Sequence, residues 1–126
     1  MRTQSAEEGI HMINVDFTYE NGVRTLECVG HAEYGGCGGA SGGCGGDVVC
    51  AAASALTGAL AAAIFRREGE FASASVTEAD GYCRVSCAEP GAAPFFEFAL
   101  VGLTKLAGAF PANVAVSGFD ESEVFV

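Results

Sequence analysis

Ile13, Val15, Phe17 and Tyr19 alternate with Asn14, Asp16, Thr18 and Glu20, a period of two that puts one side of a strand in a core and the other in water. Asn21-Gly22 comes next. That pair accepts the positive φ angles of a tight hairpin turn, so a second strand is expected from about Val23 to Val29, antiparallel to the first. Residues before Met12 carry no such period, and 1–11 are expected to form a mobile extension ahead of a single domain over 12–126.

Residues 32–46 read AEYGGCGGASGGCGG, eight glycines in fifteen residues. No side-chain pattern there can hold a regular element, and a flexible glycine-rich loop is expected. The period then changes. Val49, Ala53, Leu56, Leu60 and Ile64 recur at helical spacing behind Asp47, which predicts a helix from about Val48 to Arg67, with Asp47 as N-cap and Arg66 and Arg67 at the basic end. A second hairpin, roughly Phe71–Glu78 and Tyr82–Ala88, is expected around Asp80-Gly81, with Cys83, Val85 and Cys87 on its inner side. Pro94 suits a first helical turn, and Phe96, Leu100, Leu103, Ala107 and Phe110 mark a second helix ending near Gly108 and Pro111. Val114–Phe119 reads as a short last strand. The order ββαββαβ predicts an α+β fold of two layers, an antiparallel sheet of two hairpins plus a last strand, covered by two helices.

A chain of 126 residues can build one core and is short for two complete domains. Its 6 Lys and Arg stand against 16 Asp and Glu, a net charge of −10. That balance repels phosphate backbones and anionic lipid, which argues against direct nucleic-acid or membrane-surface binding and favours a basic partner. The opening MRTQSAEEGIHM lacks the features of a secretory signal, so the expected compartment is the cytoplasm and the six cysteines are expected to be thiols. The uncharged run Val48 to Phe65 is long enough to raise the question of a membrane span. It is mostly Ala, interrupted by Ser54, Thr57 and Gly58, and reads better as a buried core helix.

Two residues stand out chemically. His31 ends the second predicted strand and Cys50 lies in the first turn of the predicted helix, at its third position behind Asp47. A helix N-terminus and a nearby imidazole both lower a thiol's pKa, and unpaired amides there can hold an oxyanion. Against this, a cysteine in an Ala-rich helix is more often packing than catalysis. A competing reading is a non-enzymatic zinc or iron-sulfur module using Cys28, His31, Cys37, Cys44 and Cys50, but no two of these cysteines form a Cys-x2-Cys knuckle. A phosphate-binding loop is a weaker reading still, since the glycine-rich stretch lacks a Lys-Ser/Thr ending.

The strings Gly30-His31-Ala32-Glu33-Tyr34 and Gly45-Gly46-Asp47-Val48-Val49-Cys50-Ala51-Ala52-Ala53-Ser54 resemble the ribosomal-processing cysteine protease Prp family, whose pattern is Gly-His-Ala, a glycine-rich loop, then Gly-x-Asp-[Ile/Val]-Val-Cys-Ala with a serine four residues after the cysteine. The resemblance implies an endopeptidase that removes the N-terminal extension of large-subunit ribosomal protein twenty-seven during ribosome maturation. It implies Cys50 as nucleophile and His31 as general base and acid, with Asp47 and Ser54 as possible supporting residues: Asp47 orienting His31 or only capping the helix, Ser54 touching the site or bonding back to the Cys50 carbonyl. It calls for no cofactor, and implies a homodimer and a basic substrate segment with an apolar pair near the cut. The loop between His31 and Cys50 is longer than the family's usual spacing by roughly seven residues, a change that costs little closure entropy but alters how the loop meets substrate. Cys37 and Cys44 fall inside it, placed in sequence where either could be oxidised against Cys50.

Overall fold

In the computed structural model the described residues are 12–30, 45–67 and 69–119, with the backbone alone for 45–47. The extension expected at 1–11 and residues 32–44 of the expected loop lie outside them.

The first hairpin joins β1 (Ile13–Glu20) to β2 (Val23–Gly30). Its turn has Asn21 at φ 52° and Gly22 at φ 82°, both in the left-handed region that Asn-Gly tolerates. The register pairs Val15 with Cys28 and Phe17 with Leu26, so the alternation along the sequence becomes one buried side as far as Phe17, while Tyr19 beside the turn is exposed.

Helix α1 covers Gly45–Arg66 and so begins three residues before the expected start, taking in the last two glycines of the predicted loop. Asp47 therefore stands inside the first turn and is not its N-cap. Gly45 and Gly46 each cost about 1 kcal/mol relative to Ala in a helix, a cost that propagation from the long Ala-rich run behind them offsets. Val49, Ala53, Leu60, Ala61 and Ile64 are buried along one side. Thr57 is buried as well, its hydroxyl donating to the Ala53 carbonyl at 3.0 Å. The opposite side, including Val48, Ala51, Ala55, Ala62 and Phe65, is exposed, so the helix expected to be a buried core element is buried on one side only. Val48–Arg66 is apolar and long enough to cross a membrane, yet its packed row of side chains is that of a helix lying on a sheet.

The second hairpin is shorter than expected: β3 is Ser75–Ala79 and β4 is Tyr82–Cys87. Residues 71–74 do not extend β3 because their backbone is committed elsewhere. The Phe71 amide donates to the Arg67 carbonyl at 2.8 Å and the Ser73 amide to Glu89 Oε2 at 3.3 Å, while the Ala88 amide takes the Ser73 hydroxyl at 2.8 Å in place of a strand partner. A 3-10 turn at Pro90–Ala92 leads into α2, Ala93–Ala109, which buries Phe96, Ala99, Leu100 and Leu103. The helices approach closely where Gly102 meets the Leu56 side chain: a Cβ at Gly102 would stand 2.7 Å from a Leu56 methyl carbon.

The final strand β5, Val114–Ser117, lies parallel to β1. The sheet, ordered β3-β4-β2-β1-β5, is mixed rather than wholly antiparallel. The physical reason is the connection: β5 follows a helix that crosses the sheet, and a helical crossover returns the chain in the parallel sense. The α+β class, the element order and the five-stranded sheet with two helices are otherwise as the sequence pattern predicts.

Candidate active site

Three elements converge at one end of the sheet. Antiparallel β2 and β4 place Cys28 directly opposite Cys83, and α1 lays Cys50, Ala53, Ser54 and Thr57 over them. These small side chains leave a cleft of about 340 Å³, rimmed by Glu78 and the Asp80-Gly81 turn and bounded at the β2 end by Gly30. Cys50 and Ser54, one helical turn apart, both line it.

The described thiols differ in access. Cys28 and Cys83 are buried, as is Cys87 on the far side of Val85, whereas Cys50 is half-buried. Burial pushes the Cys28 thiol up to about 12, helped by the charge of Cys83 and then of Cys50. Burial likewise raises Cys83, with the Glu78 carboxylate adding to it and a Thr57 hydrogen bond opposing it. Cys87 is also raised, first by burial. A buried thiol held protonated is an inert packing group, so the expectation that Cys83 and Cys87 are simply buried holds. Among the described cysteines, Cys50 is the one with solvent access to the cleft.

Gly30 is constrained by two independent requirements. Its φ is +114°, and a Cβ there would collide with the carbonyl oxygen of Met12. Its amide donates to the Gly81 carbonyl at 2.9 Å, tying the end of β2 to the β3–β4 turn. Only glycine fits such a backbone, which gives the glycine ahead of His31 a structural reason.

His31 itself lies outside the described residues, as do Cys37 and Cys44, and nothing of the Asp47 side chain is described. Because α1 starts at Gly45, Cys50 is its sixth residue rather than its third. Its amide therefore falls within the hydrogen-bonded part of the helix, and the expected use of that amide for an oxyanion is corrected: the four unpaired amides belong to earlier residues. Among the described residues, no three His, Cys, Asp or Glu side chains come together to hold a metal.

The inward side of Cys83 was expected, but its apposition to Cys28, the Glu78 rim and the role of Gly30 were not. The inward parity of Cys28 was available from the Asn21-Gly22 turn, which puts it on the same side as Leu26. Its pairing with Cys83 was not, because β2 and β4 are joined by a helix and a strand.

A family profile described as Cysteine protease Prp matches residues 12–115. Among solved structures, the essential ribosomal processing protease Prp from S. aureus is similar in two complexes. That with a covalently linked product peptide has a TM-score of 0.64 at 24% identity, covering 83% of this chain and 97% of that one. That with a substrate peptide has 0.65 at 24%, covering 84% and 98%. SMU.848 from Streptococcus mutans has a TM-score of 0.56 at 27% identity, covering 92% and 96%. No curated protein matches the chain.

Proposed function

The chain belongs to the Prp family of cysteine proteases, and from that premise we propose that it is a cytoplasmic homodimeric endopeptidase acting through a Cys50–His31 dyad to remove the N-terminal extension of large-subunit ribosomal protein twenty-seven. The observation that carries this reading is the asymmetry among the thiols: Cys50 opens on a cleft whose other two sulfurs, Cys28 and Cys83, are buried and held protonated. Gly30, the covalent neighbour of His31, lines the same cleft.

In the proposed reaction the His31 imidazole takes the Cys50 proton and the thiolate attacks the scissile carbonyl. The tetrahedral adduct collapses as His31 returns the proton to the leaving amine, and water, activated by the same imidazole, releases the acyl group from sulfur. Position within the first two turns of α1 places Cys50 near the positive end of the helix, although that effect fades beyond the first turn. Ser54 is exposed on the cleft wall and is assigned a supporting contact to substrate. Asp47, also supporting, sits in the first turn of α1, where it orients His31 or acts through its charge at the helix end. A chain carrying −10 draws a lysine-rich substrate segment toward it.

Mass spectrometry of a peptide spanning the extension of the host's own ribosomal protein, incubated with wild type, Cys50→Ala and His31→Ala under reducing conditions, tests this. One defined cut by wild type, reduced by more than about 10⁴-fold in Cys50→Ala, is expected. Equal cutting by wild type and Cys50→Ala would overturn the dyad, and no cut by wild type would overturn the substrate.

A further inference from the structure

Three thiols meet in the cleft, and two of them take no part in the proposed reaction. Cys28, Cys50 and Cys83 all line it. Cys28 and Cys83 rise from neighbouring strands, and Cys50 comes down from α1 to pack against the core that contains them. The surroundings of the two buried sulfurs differ. Cys83 is engaged by Thr57 from α1 and stands in the field of the Glu78 carboxylate, whereas Cys28 feels the charge of Cys50 across the cleft. The two strand thiols are also poorly placed for each other. The Gly30 amide bonds the Gly81 carbonyl at 2.9 Å, which sets the phase of the ladder and makes Cys28 and Cys83, two residues along, a hydrogen-bonded pair. Residues so paired stand about 5.5 Å apart at Cα, not the closer 4.5 Å or so of the alternate pairs. A disulfide needs β-carbons about 3.8 Å apart.

We propose that Cys28 is the resolving thiol of Cys50: a hydroperoxide entering the cleft oxidises Cys50, and Cys28 then closes a disulfide with it. In the first step the Cys50 thiolate attacks the peroxide. An S–O bond forms, the O–O bond breaks, sulfur becomes a sulfenic acid, and the other oxygen leaves as an alcohol carrying the former thiol proton. In the second step the Cys28 sulfur attacks the Cys50 sulfur. An S–S bond forms, the S–O bond breaks, and the departing hydroxide takes the Cys28 proton and leaves as water. Two thiols and one hydroperoxide thus give one disulfide, one alcohol and one water, the thiols supplying both electrons. Burial keeps Cys28 from reagents in solvent but not from a sulfur inside the same cleft, where proximity offsets its small thiolate fraction. The disulfide draws the first turns of α1 toward β2, into the space that Ala53 and Ser54 leave open, and takes the nucleophile out of use until a reducing thiol restores it. Without Cys28 the sulfenic acid goes on to sulfinic acid, which thiols do not reverse.

The inference rests on Cys50 as the reactive thiol of the cleft, and its test reads the sulfur as well as peptide cleavage. Reduced full-length protein, wild type and Cys28→Ala, is treated with hydrogen peroxide, blocked with N-ethylmaleimide and mapped by mass spectrometry without reduction. Cleavage is measured before and after dithiothreitol. Wild type should yield a Cys28–Cys50 cross-linked peptide within one chain and regain its lost cleavage on reduction. Cys28→Ala should give no such peptide, carry sulfinic acid at Cys50, and regain at least about tenfold less of what it lost. Cys28→Ser serves if Cys28→Ala loses its circular dichroism, and Cys83→Ala should cross-link as wild type does. Cys50 oxidised in wild type without a bond to Cys28, or bonded to Cys83, Cys37 or Cys44 in its place, would overturn the proposal. Cys50 left unoxidised while other cysteines react would remove both the resolving pair and Cys50 as the reactive thiol. A Cys28–Cys50 cross-link in a protein that cuts no ribosomal peptide would uphold the pair and remove only the substrate.

Discussion

Cys83 and Cys87 lie four residues apart on β4, both buried beneath the helices, and the two ends of the sheet they mark are built differently. At the Cys87 end aromatic rings make up the packing. Phe17 packs on Phe96 at 6.1 Å between ring centres and on Phe119 at 6.5 Å, and Phe71 packs on Phe95 at 6.1 Å. The polar groups there are paired with one another, since the Ser73 hydroxyl donates to Glu89 Oε1 at 2.5 Å and the Cys87 thiol to the same oxygen at 3.2 Å. At the Cys83 end the helix layer supplies Ala53, Ser54 and Thr57, and the cleft is what those side chains fail to fill. One sheet and one pair of helices thus produce an aromatic end and a thiol-lined end through the side chains they carry. Sulfur is present at both, so access rather than the mere presence of a thiol sets Cys50 apart.

If the aromatic end supports the fold and the thiol-lined end supports chemistry, substitutions at the two should have separable effects. Phe96 is 1% exposed, and Phe96→Ala should cost about 3–5 kcal/mol by urea unfolding while the surviving folded protein keeps its cleft. A mutant equally stable to wild type would break the comparison. Gly30→Ala forces a β-carbon into the Met12 carbonyl at φ +114° and should cost about 2 kcal/mol or more. It should reduce peptide cleavage further than its stability loss explains, because the strain falls on the residue that leads to His31. Cleavage at the wild-type rate would show that the backbone path at Gly30 is irrelevant to the site.

The smallest effect concerns pH. The Cys28 thiol ionises at 9.0 when unperturbed and is held to about 12 in the fold. Below pH 9 both states keep the proton and the contribution is whole. Between 9 and 12 the unfolded chain releases a proton that the folded chain retains, so stability falls as pH rises, by up to about 1.4 kcal/mol per unit. Urea titrations at stepped alkaline pH should show this slope in wild type and a shallower one in Cys28→Ala. Equal slopes would mean that the thiol is less buried than the packing around it requires.

The parts of the fold carried by neighbouring residues were legible in the sequence. Asn21-Gly22 set the first hairpin and its register, and the spacing from Phe96 to Leu103 located α2. What depended on distant partners was not. The parallel seat of β5 on β1 and the apposition of Cys28 and Cys83 arise from crossovers, which local pattern does not encode. The shortening of β3 arose from Glu89, sixteen residues away from the Ser73 it captures. The start of α1 was misplaced because glycine and aspartate look like a boundary, whereas a long alanine run can carry a helix through them. Cys50 was legible through its setting in the motif around it and Cys83 as an inward residue of its strand, whereas their meeting with Cys28 in one cleft was not.

The most direct test of the central claim is alkylation of the reduced protein by iodoacetamide at neutral pH, with peptide mapping of each cysteine over time and residual peptide cleavage measured on the same samples. Activity is predicted to fall in step with the fraction of Cys50 modified, while Cys28, Cys83 and Cys87 stay unmodified in the folded protein. Cleavage persisting after Cys50 is fully alkylated, or Cys28 reacting ahead of Cys50, would contradict the assignment of Cys50 as the accessible nucleophile of the cleft.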